Sequence, residues 1–256
     1  MVPLQVVQIT DIHLLADENS LHYEVDTALS LTKVLNKIKS LTVDLIVVSG
    51  DLTEDGKAST YKRLAKIFKS LTVPVFFLPG NHDDPILMTE HLNDSNLNHC
   101  FSMEMAGWGF LFLHSQVEGC SFGKIGNQQL TKIDKYLTDH CAKPVFIAQH
   151  HPSFTVCPVA GCQLEDAAIL QKILMKHNNV KVIVAGHTHN DKEDLSLNYA
   201  QYVTPSSFAF ATHDQDCAKH RKDDFWAAHK LDPSKIGFRY IQLTKQGAVE
   251  SEVIWV

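Results

Sequence analysis

Short apolar runs, rich in β-branched and aromatic residues, recur along the chain and constrain its fold more than any other feature. None of them alternates cleanly between apolar and polar residues, so each predicts a strand that is buried on both faces, as in a parallel sheet. They lie at residues 5–10, 43–50, 73–80, 108–115, 144–149 and 180–186, and a last pair of strands is predicted at 238–243 and 249–256.

Helical patterns lie between these runs. Leu31, Val34, Leu35 and Ile38 have the spacing of one helix face, and similar stripes occupy 61–68, 130–137 and 170–177. Strands that alternate with helices predict crossover connections and a layered α/β fold. No Gly-, Ser- or Pro-rich linker divides residues 1–256, so we interpret them as one domain.

The composition excludes some classes of partner. The chain is 45% hydrophobic and 20% charged, with a net charge of −6. An acidic chain is a poor partner for nucleic acid, because such binding depends on counterion release by basic residues. No apolar stretch approaches the roughly 20 residues of a membrane span, and no secretory signal pattern is present. We therefore expect a cytoplasmic protein with neither a nucleic-acid nor a membrane partner.

The six cysteines do not indicate a disulfide framework in a chain of this length. Cys157 and Cys162 form a close pair with CxxxxC spacing, which is a weak signal for a redox or metal site. We interpret them as small buried or loop thiols.

Residues 204–235 depart from the alternation of strands and helices. The segment is polar, rich in histidine and charge, and long for an irregular connection in a compact domain. One hypothesis is a lid that sets substrate choice, and a second is a contact in a homodimer. A solvated or disordered charged loop is the third alternative.

Clusters of polar residues follow five of the predicted strands. They are Asp11-Ile12-His13, Asp51, Gly80-Asn81-His82-Asp83, His150-His151 and Gly186-His187-Thr188-His189. The carboxyl ends of strands are where α/β sheets form their ligand crevice. Asp11 and His13, like His187 and His189, are two residues apart and would point to the same side of an extended chain.

Each cluster alone has a simpler explanation. Small polar residues after a strand usually make a turn, Asp51 alone could be a helix N-cap, and His150 and His151 could be satisfied core histidines. Five such clusters in register favour a shared site instead. Carboxylate, imidazole and amide oxygen together suit divalent Mn, Fe or Zn, and seven candidate ligands suit two ions that share a carboxylate.

The ordered pattern DxH, GD, GNHD, HH and GHTH, spanning 5–190, resembles the calcineurin-like metallophosphoesterases. The segments QITDIHL, GDLTEDG, LPGNHD, QHHPSF, VAGHTH and TPSSFAF are similar to the bacterial cyclic AMP phosphodiesterases called class III. The resemblance implies a four-layer α/β/β/α sandwich with a dinuclear centre at one edge of the two sheets.

The resemblance also implies roles for individual residues. His82 would stand beside the substrate phosphate, and Asp51 would bridge two divalent ions (Fe, Mn or Zn). The remaining implied ligands are Asp11, His13 and His189 for the first metal, and Asn81, His150 and His187 for the second.

The expected reaction is hydrolysis of a small-molecule phosphodiester, with 3′,5′-cyclic AMP going to 5′-AMP as the first choice. A hydroxide bridging the metals would attack phosphorus in line, and His82, with Asn81 beside it, would assist departure of the sugar oxygen. The alternatives are a nucleotide pyrophosphatase, a hydrolase of UDP-linked lipid precursors or of glycerophosphodiesters, and a non-catalytic metal-binding scaffold. A scaffold needs no proton donor, so His82 argues against it.

Other residues near the clusters carry weaker predictions. His151 would contact substrate or orient the second metal's ligands, with a structural loop role as the alternative. Asp83 and Asp84 would organise a turn or cap a helix. His22 is interpreted as an exposed loop histidine, with an approach to the nucleotide as the alternative. Thr204, Ser206 and Ser207 match the family near its pocket, without an assigned hydrogen bond.

Overall fold

The computed structural model describes residues 2–94, 96–156, 162–213 and 229–256. The helices are α1 (Thr27–Ile38), α2 (Ala58–Phe68), α3 (Pro85–His91), α4 (Gly126–Asp139) and α5 (Ala167–Leu174). The strands are β1 (Leu4–Ile9), β2 (Leu45–Ser49), β3 (Val75–Leu78), β4 (Leu97–Asn98), β5 (Ser102–Met105), β6 (Trp108–Phe112), β7 (Val145–Ala148), β8 (Val180–Ala185), β9 (Lys192–Asp194), β10 (Ala200–Val203), β11 (Phe210–His213), β12 (His229–Asp232), β13 (Gly237–Leu243) and β14 (Val249–Trp255).

The strands form two mixed sheets of six and one short antiparallel pair. In the first sheet the order is β14-β13-β1-β2-β3-β4, and β1 to β4 run parallel while β13 and β14 are antiparallel to their neighbours. In the second sheet the order is β5-β6-β7-β8-β10-β9, with β6, β7, β8 and β10 parallel. The pair β11-β12 stands apart from both sheets.

Three apolar layers hold the sheets and helices together. One lies between the first sheet and helices α1 to α3 and includes Val7 and Leu31. The second lies between the two sheets and includes Val6 and Phe146. The third lies between the second sheet and helices α4 and α5 and includes Ile133. The fold is therefore the expected α/β/β/α sandwich, since sheet faces and helix stripes must bury their apolar sides.

The predicted strands and helices are confirmed in position, but some predicted runs extend past the observed elements. The run at 108–115, for example, continues three residues beyond the end of β6 at Phe112. The stripe at 170–177 is too long, because α5 ends at Leu174 and the His177 imidazole lies beyond it, 2.7 Å from the Asp134 carboxylate. Periodicity does not predict every element, because some carry no apolar run that is long enough. These are helix α3 and the short strands β4, β5, β9 and β10.

Only part of the segment 204–235 lies in the described residues. Residues 204–213 and 229–235 are described, and they include the paired strands β11 and β12. Residues 214–228, on which the lid and dimer hypotheses largely rest, lie outside the described residues. Both hypotheses stay predictions.

Cys162 is buried, and Cys157 lies outside the described residues. Within the described ranges, every helix is too short or too polar to cross a membrane.

Candidate metal centre

The loops that follow β1 and β2 continue side by side beyond the sheet. The Asp11 amide donates to the Gly50 carbonyl at 3.0 Å, and the Ile12 and His13 amides donate to the Asp51 carbonyl at 2.8 and 3.0 Å. These bonds satisfy the backbone of both loops although no strand continues there. They bring the first two polar clusters of the sequence against each other.

The backbone is left-handed at five of the candidate ligands. The extended chain expected from the sequence at Asp11 to His13 and at His187 to His189 is therefore wrong. The φ angle is 53° at Asp11, 48° at His13, 48° at Asp51, 72° at His187 and 54° at His189. A non-glycine residue in this region costs on the order of 1–3 kcal/mol and such residues gather at functional sites. The side chains of each pair do converge, but through sharp turns instead of an extended strand.

One group of candidate ligands joins the loop after β1 to the loop after β8. The His189 Nε2 lies 3.4 Å from Asp11 Oδ1 and 3.2 Å from His13 Nε2. All three residues are fully buried. Two imidazole nitrogens and a carboxylate that face one another in a buried space are a donor set that fits a divalent metal.

A second group joins the loop after β3 to the loops after β7 and β8. The His150 Nε2 lies 3.2 Å from the Asn81 Oδ1, and the His150 and His187 rings are 5.1 Å apart. Asp51 lies between the two groups, with its Oδ2 3.3 Å from His150 Nε2 and 3.6 Å from His13 Nε2. This position fits a carboxylate shared by two ions, and the structure thus brings together all seven predicted ligands.

Carboxylates and imidazoles within the centre stabilise each other's charged forms. Burial opposes ionisation of Asp51, yet His150 and His82 hold its pKa well below the usual value. Burial likewise opposes ionisation of Asp11, and His189 lowers the pKa of that carboxyl. Burial also opposes protonation of His150, but Asp51 raises the pKa of this imidazole to about 9. Both carboxylates are therefore ionised and ready to bind a cation.

Outer contacts orient two of the imidazoles. The His13 Nδ1 lies 2.7 Å from Glu54 Oε2, and the His150 Nδ1 donates to the Ser49 carbonyl at 2.9 Å. Both rings consequently present Nε2 to the centre, as metal-binding histidines do when a carboxylate or carbonyl holds the other nitrogen. The sequence reasoning did not single out Glu54, which follows Asp51 by three residues in GDLTEDG.

His82 lies at the open side of the centre. Its backbone amide donates to Asp51 Oδ1 at 3.0 Å, and its Nδ1 lies 3.3 Å from Glu54 Oε2. Its side chain is 26% exposed, whereas those of His13 and His150 are 0% exposed. A molecule that enters from solvent would meet His82 before it meets these two candidate ligands.

His22 is not an exposed loop residue, and that expectation is wrong. It is buried, its ring stacks on His13 at a centroid distance of 5.2 Å, and its Nε2 lies 3.6 Å from Glu54 Oε2. A tight turn bonded between His22 and Val25, with left-handed backbone at Tyr23 and Glu24, folds the loop back onto the site. Burial lowers the pKa of His22 to about 4, and His13 adds to this effect.

Residues of the loop between β6 and α4 hold the His151 side chain in place. It is fully buried, its Nδ1 lies 2.8 Å from Ser115 Oγ, and its Nε2 lies 3.2 Å from the Ser121 carbonyl. Its ring is 4.5 Å from that of His187. With both nitrogens engaged in these contacts, an orienting role beside His187 is better supported than contact with substrate.

Asp83 organises the turn after β3, as predicted. Its carboxylate accepts hydrogen bonds from the amides of Gly80 at 2.9 Å and Leu52 at 3.0 Å, and from the Tyr61 hydroxyl at 2.8 Å. Asp84 caps helix α3 through the Ile86 and Leu87 amides. Asp83 thus links the loop of Asp51 to that of Asn81, and neither aspartate joins the ligand set.

The loop after β10 closes the centre from the other side. The Ser206 Oγ donates to the Asp11 carbonyl at 2.7 Å, and the Ser207 amide donates to the Thr10 carbonyl at 3.1 Å. The Phe208 ring packs 5.5 Å from that of His13. These contacts supply hydrogen bonds for Ser206 and Ser207, which the sequence left unassigned, and tie the second sheet to the end of β1.

Comparison with known proteins identifies the family. The family model for calcineurin-like phosphoesterase matches residues 4–191, and the chain belongs to this family. A 3′,5′-cyclic-nucleotide phosphodiesterase of Nostoc sp. is 32% identical over 211 residues, covering 80% of this chain and 79% of its own. The 3′,5′-cyclic adenosine monophosphate phosphodiesterase CpdA of Escherichia coli K12 is 30% identical over 261 residues, covering 98% of this chain and 89% of its own.

A solved structure supports the fold assignment. A dimetal phosphatase from Danio rerio superposes with a TM-score of 0.66 and 16% identity, covering 100% of this chain and 99% of that one. At this identity the likeness concerns the fold alone.

Gly50 provides a test of how tightly the centre is packed. Its φ is 99°, and an added Cβ would overlap the His150 ring and lie 2.9 Å from the Gly80 Cα. We expect Gly50→Ala to displace His150 and weaken metal binding by about tenfold or more, measured as Mn²⁺ content after dialysis against graded chelator.

Gly107→Ala is the matched control. Gly107 has a φ of 87°, but nothing lies within 4 Å of its added Cβ. This variant carries a similar backbone strain and should retain metal like the wild type. Equal metal retention by both variants would contradict the packing argument.

Proposed function

We propose that this protein hydrolyses a 3′,5′-cyclic nucleotide, with cyclic AMP as the first candidate, to the nucleoside 5′-monophosphate. The observation that carries the proposal is the position of Asp51, whose Oδ2 lies within 3.6 Å of an imidazole nitrogen from each group of candidate ligands. Similarity to proteins named cyclic nucleotide phosphodiesterases, over most or nearly all of the chain, supports the choice of substrate. A cytoplasmic location goes with this proposal, because cyclic nucleotides are made from intracellular nucleoside triphosphates.

The centre would hold two divalent ions of the Fe, Mn or Zn type. Asp51 would be their shared ligand. The other assignments are Asp11, His13 and His189 around one ion, and Asn81, His150 and His187 around the other. When bound, such ions supply Lewis acidity and lower the pKa of the attacking water.

The ligand set leaves the centre electropositive. Two divalent ions carry four positive charges, of which Asp11 and Asp51 neutralise two. Asn81 contributes an oxygen without further negative charge. With both ions bound, the net positive charge would attract a phosphodiester anion and would favour the charge that develops on its oxygens.

His82 would be the proton donor to the departing sugar oxygen. Its Nδ1 faces Glu54 Oε2 at 3.3 Å, so Nε2 is the nitrogen presented to a molecule in the cleft. Glu54 thereby holds the ring in this orientation. Asn81, adjacent to His82, helps to place the phosphate beside this nitrogen.

A substrate panel tests the proposed reaction. We expect Mn²⁺-loaded protein to convert cyclic AMP to 5′-AMP, and to do so faster than it hydrolyses ADP-ribose. Cyclic GMP and bis-p-nitrophenyl phosphate complete the panel, with product identity read by chromatography. Turnover of ADP-ribose without any cyclic nucleotide would instead indicate a pyrophosphatase, and no turnover of any ester would indicate a metal-binding scaffold.

Replacement of His82 tests its role as proton donor. His82→Ala should lower kcat for cyclic AMP by about 10²–10⁴-fold while metal content stays unchanged. The loss should be smaller for bis-p-nitrophenyl phosphate, because p-nitrophenolate leaves without needing a proton. His140→Ala is the control, since the His140 side chain is 30% exposed and lies at the end of α4. An equal loss of kcat on both esters would contradict the assignment.

Replacement of Asp51 tests the shared ligand. Asp51→Asn should reduce bound Mn²⁺ from two ions to at most one per chain, because the bridging negative charge is lost. Asp55→Asn is the control, since Asp55 accepts from the Thr60 hydroxyl at 2.7 Å and lies outside the ligand set. Two ions retained by Asp51→Asn, by elemental analysis, would refute the bridging role.

A further inference from the structure

The apolar layer between the two sheets gives way to buried polar residues next to the candidate metal centre. Along β1 the side chains of Leu4 and Val6 face the second sheet, and the next residue on that face is Gln8. Along β2 the apolar Val47 is followed on the same face by Ser49. Two inward-facing rows of the first sheet thus become polar at their last position.

The same change occurs on β13 and after β10. Arg239 precedes the inward-facing Ile241 on β13 and pairs in register with Gln8. Thr204 follows the inward-facing Tyr202 of the second sheet. We call Gln8, Ser49, Thr204 and Arg239 the polar layer; their exposed fractions are 0%, 0%, 0% and 3%.

Gln8 uses its whole amide group in this layer. Its Nε2 donates to Ser49 Oγ at 2.8 Å within the first sheet, and to the Ala185 carbonyl at 2.9 Å across to the second sheet. Its Oε1 accepts from the Thr204 hydroxyl, again across the sheets. The amide therefore cross-links β1, β2, the end of β8 and the residue after β10.

Arg239 makes the corresponding link from β13. Its Nε donates to Thr204 Oγ1 at 3.1 Å, and its Nη2 donates to the Val203 carbonyl at 3.0 Å and to Asp191 Oδ1 at 2.6 Å. Its guanidinium also lies over the Tyr202 ring, 4.6 Å from the centroid. The planar donor fork defines the direction of these bonds, which apolar packing does not.

The anchoring atoms of the polar layer adjoin the candidate ligands of both sheets. Ala185 precedes His187 by two residues, and Asp191 follows His189 by two. The Ser49 carbonyl holds His150 Nδ1, and Gln8 precedes Asp11 by three residues. A change in the separation of the sheets at this layer would be passed directly to the ligands.

We propose that Gln8, Thr204 and Arg239 are positioning residues whose bonds across the sheets set the distance between the two sheets' metal ligands. The first sheet supplies Asp11, His13, Asp51 and Asn81, and the second supplies His150, His187 and His189. Each ion would take ligands from both sheets, so the spacing of the sheets would decide whether two ions can share Asp51. This inference rests on the dinuclear centre proposed above, and it makes no assumption about the substrate.

The test compares Gln8→Met with Gln5→Met in Mn²⁺-loaded protein. Methionine fills a similar volume without the amide. Gln5 is buried on the same strand at the end remote from the centre, where its Nε2 donates to the Pro3 carbonyl at 3.1 Å. The readouts are Mn²⁺ affinity by chelator competition and the spin-coupled EPR signal of a close Mn²⁺ pair, with circular dichroism to establish folding.

We expect Gln8→Met to fold, to bind the second Mn²⁺ about tenfold or more weakly, and to lose most of the spin-coupled signal. Gln5→Met should match the wild type in both measurements. Thr204→Val is an isosteric change that removes two of these bonds, those of the Thr204 hydroxyl with Gln8 Oε1 and with Arg239 Nε. It should weaken binding of the second Mn²⁺ in the same direction even if Gln8→Met folds poorly. Wild-type affinity and coupling in folded Thr204→Val or Gln8→Met would overturn the inference. The absence of a coupled pair in the wild type would instead overturn the dinuclear centre, and the inference with it.

Discussion

The whole site depends on contact between the ends of two separate sheets. The His187 amide of the second sheet's loop donates to both carboxylate oxygens of Asp11, at 3.1 and 3.0 Å. The His150 imidazole donates to the Ser49 carbonyl of the first sheet, and Ser206 donates to the Asp11 carbonyl. Neither sheet alone supplies all the candidate ligands of either proposed ion, so the proposed centre requires that the apolar layer between the sheets is intact.

The loops that carry the candidate ligands combine unfavourable backbone conformations with buried charge. The surrounding fold stabilises them. Left-handed backbone at residues such as Asp11 and Asp51 is unfavourable for a free chain. Burial of carboxylates is unfavourable as well unless charges or hydrogen bonds compensate. Here imidazoles face the carboxylates, and Asp83 satisfies amides of the loops after β2 and β3. Divalent ions would add the positive charge that this concentration of buried donors attracts.

The positions of the candidate ligands at the sheet edge could be predicted from the sequence, because each of them lies in the segment that follows a strand. An apolar run locates a strand, and the polar residue after it locates the sheet edge, so Asp51 and His150 needed only local information. Glu54 and His22 could not be found in this way. Glu54 sits in a loop where an exposed acid is ordinary, and its role depends on contact with His13 from another strand. His22 is buried only because a strained turn folds its loop back over the site.

The central claim is that residues from both sheets surround two metal ions that share Asp51. The most direct measurement is anomalous diffraction from crystals of the Mn²⁺-loaded protein. The account predicts two manganese peaks about 3.5–4 Å apart, with the Asp51 carboxylate between them and Asn81 beside one of them. A single peak, or peaks away from this cleft, would contradict it.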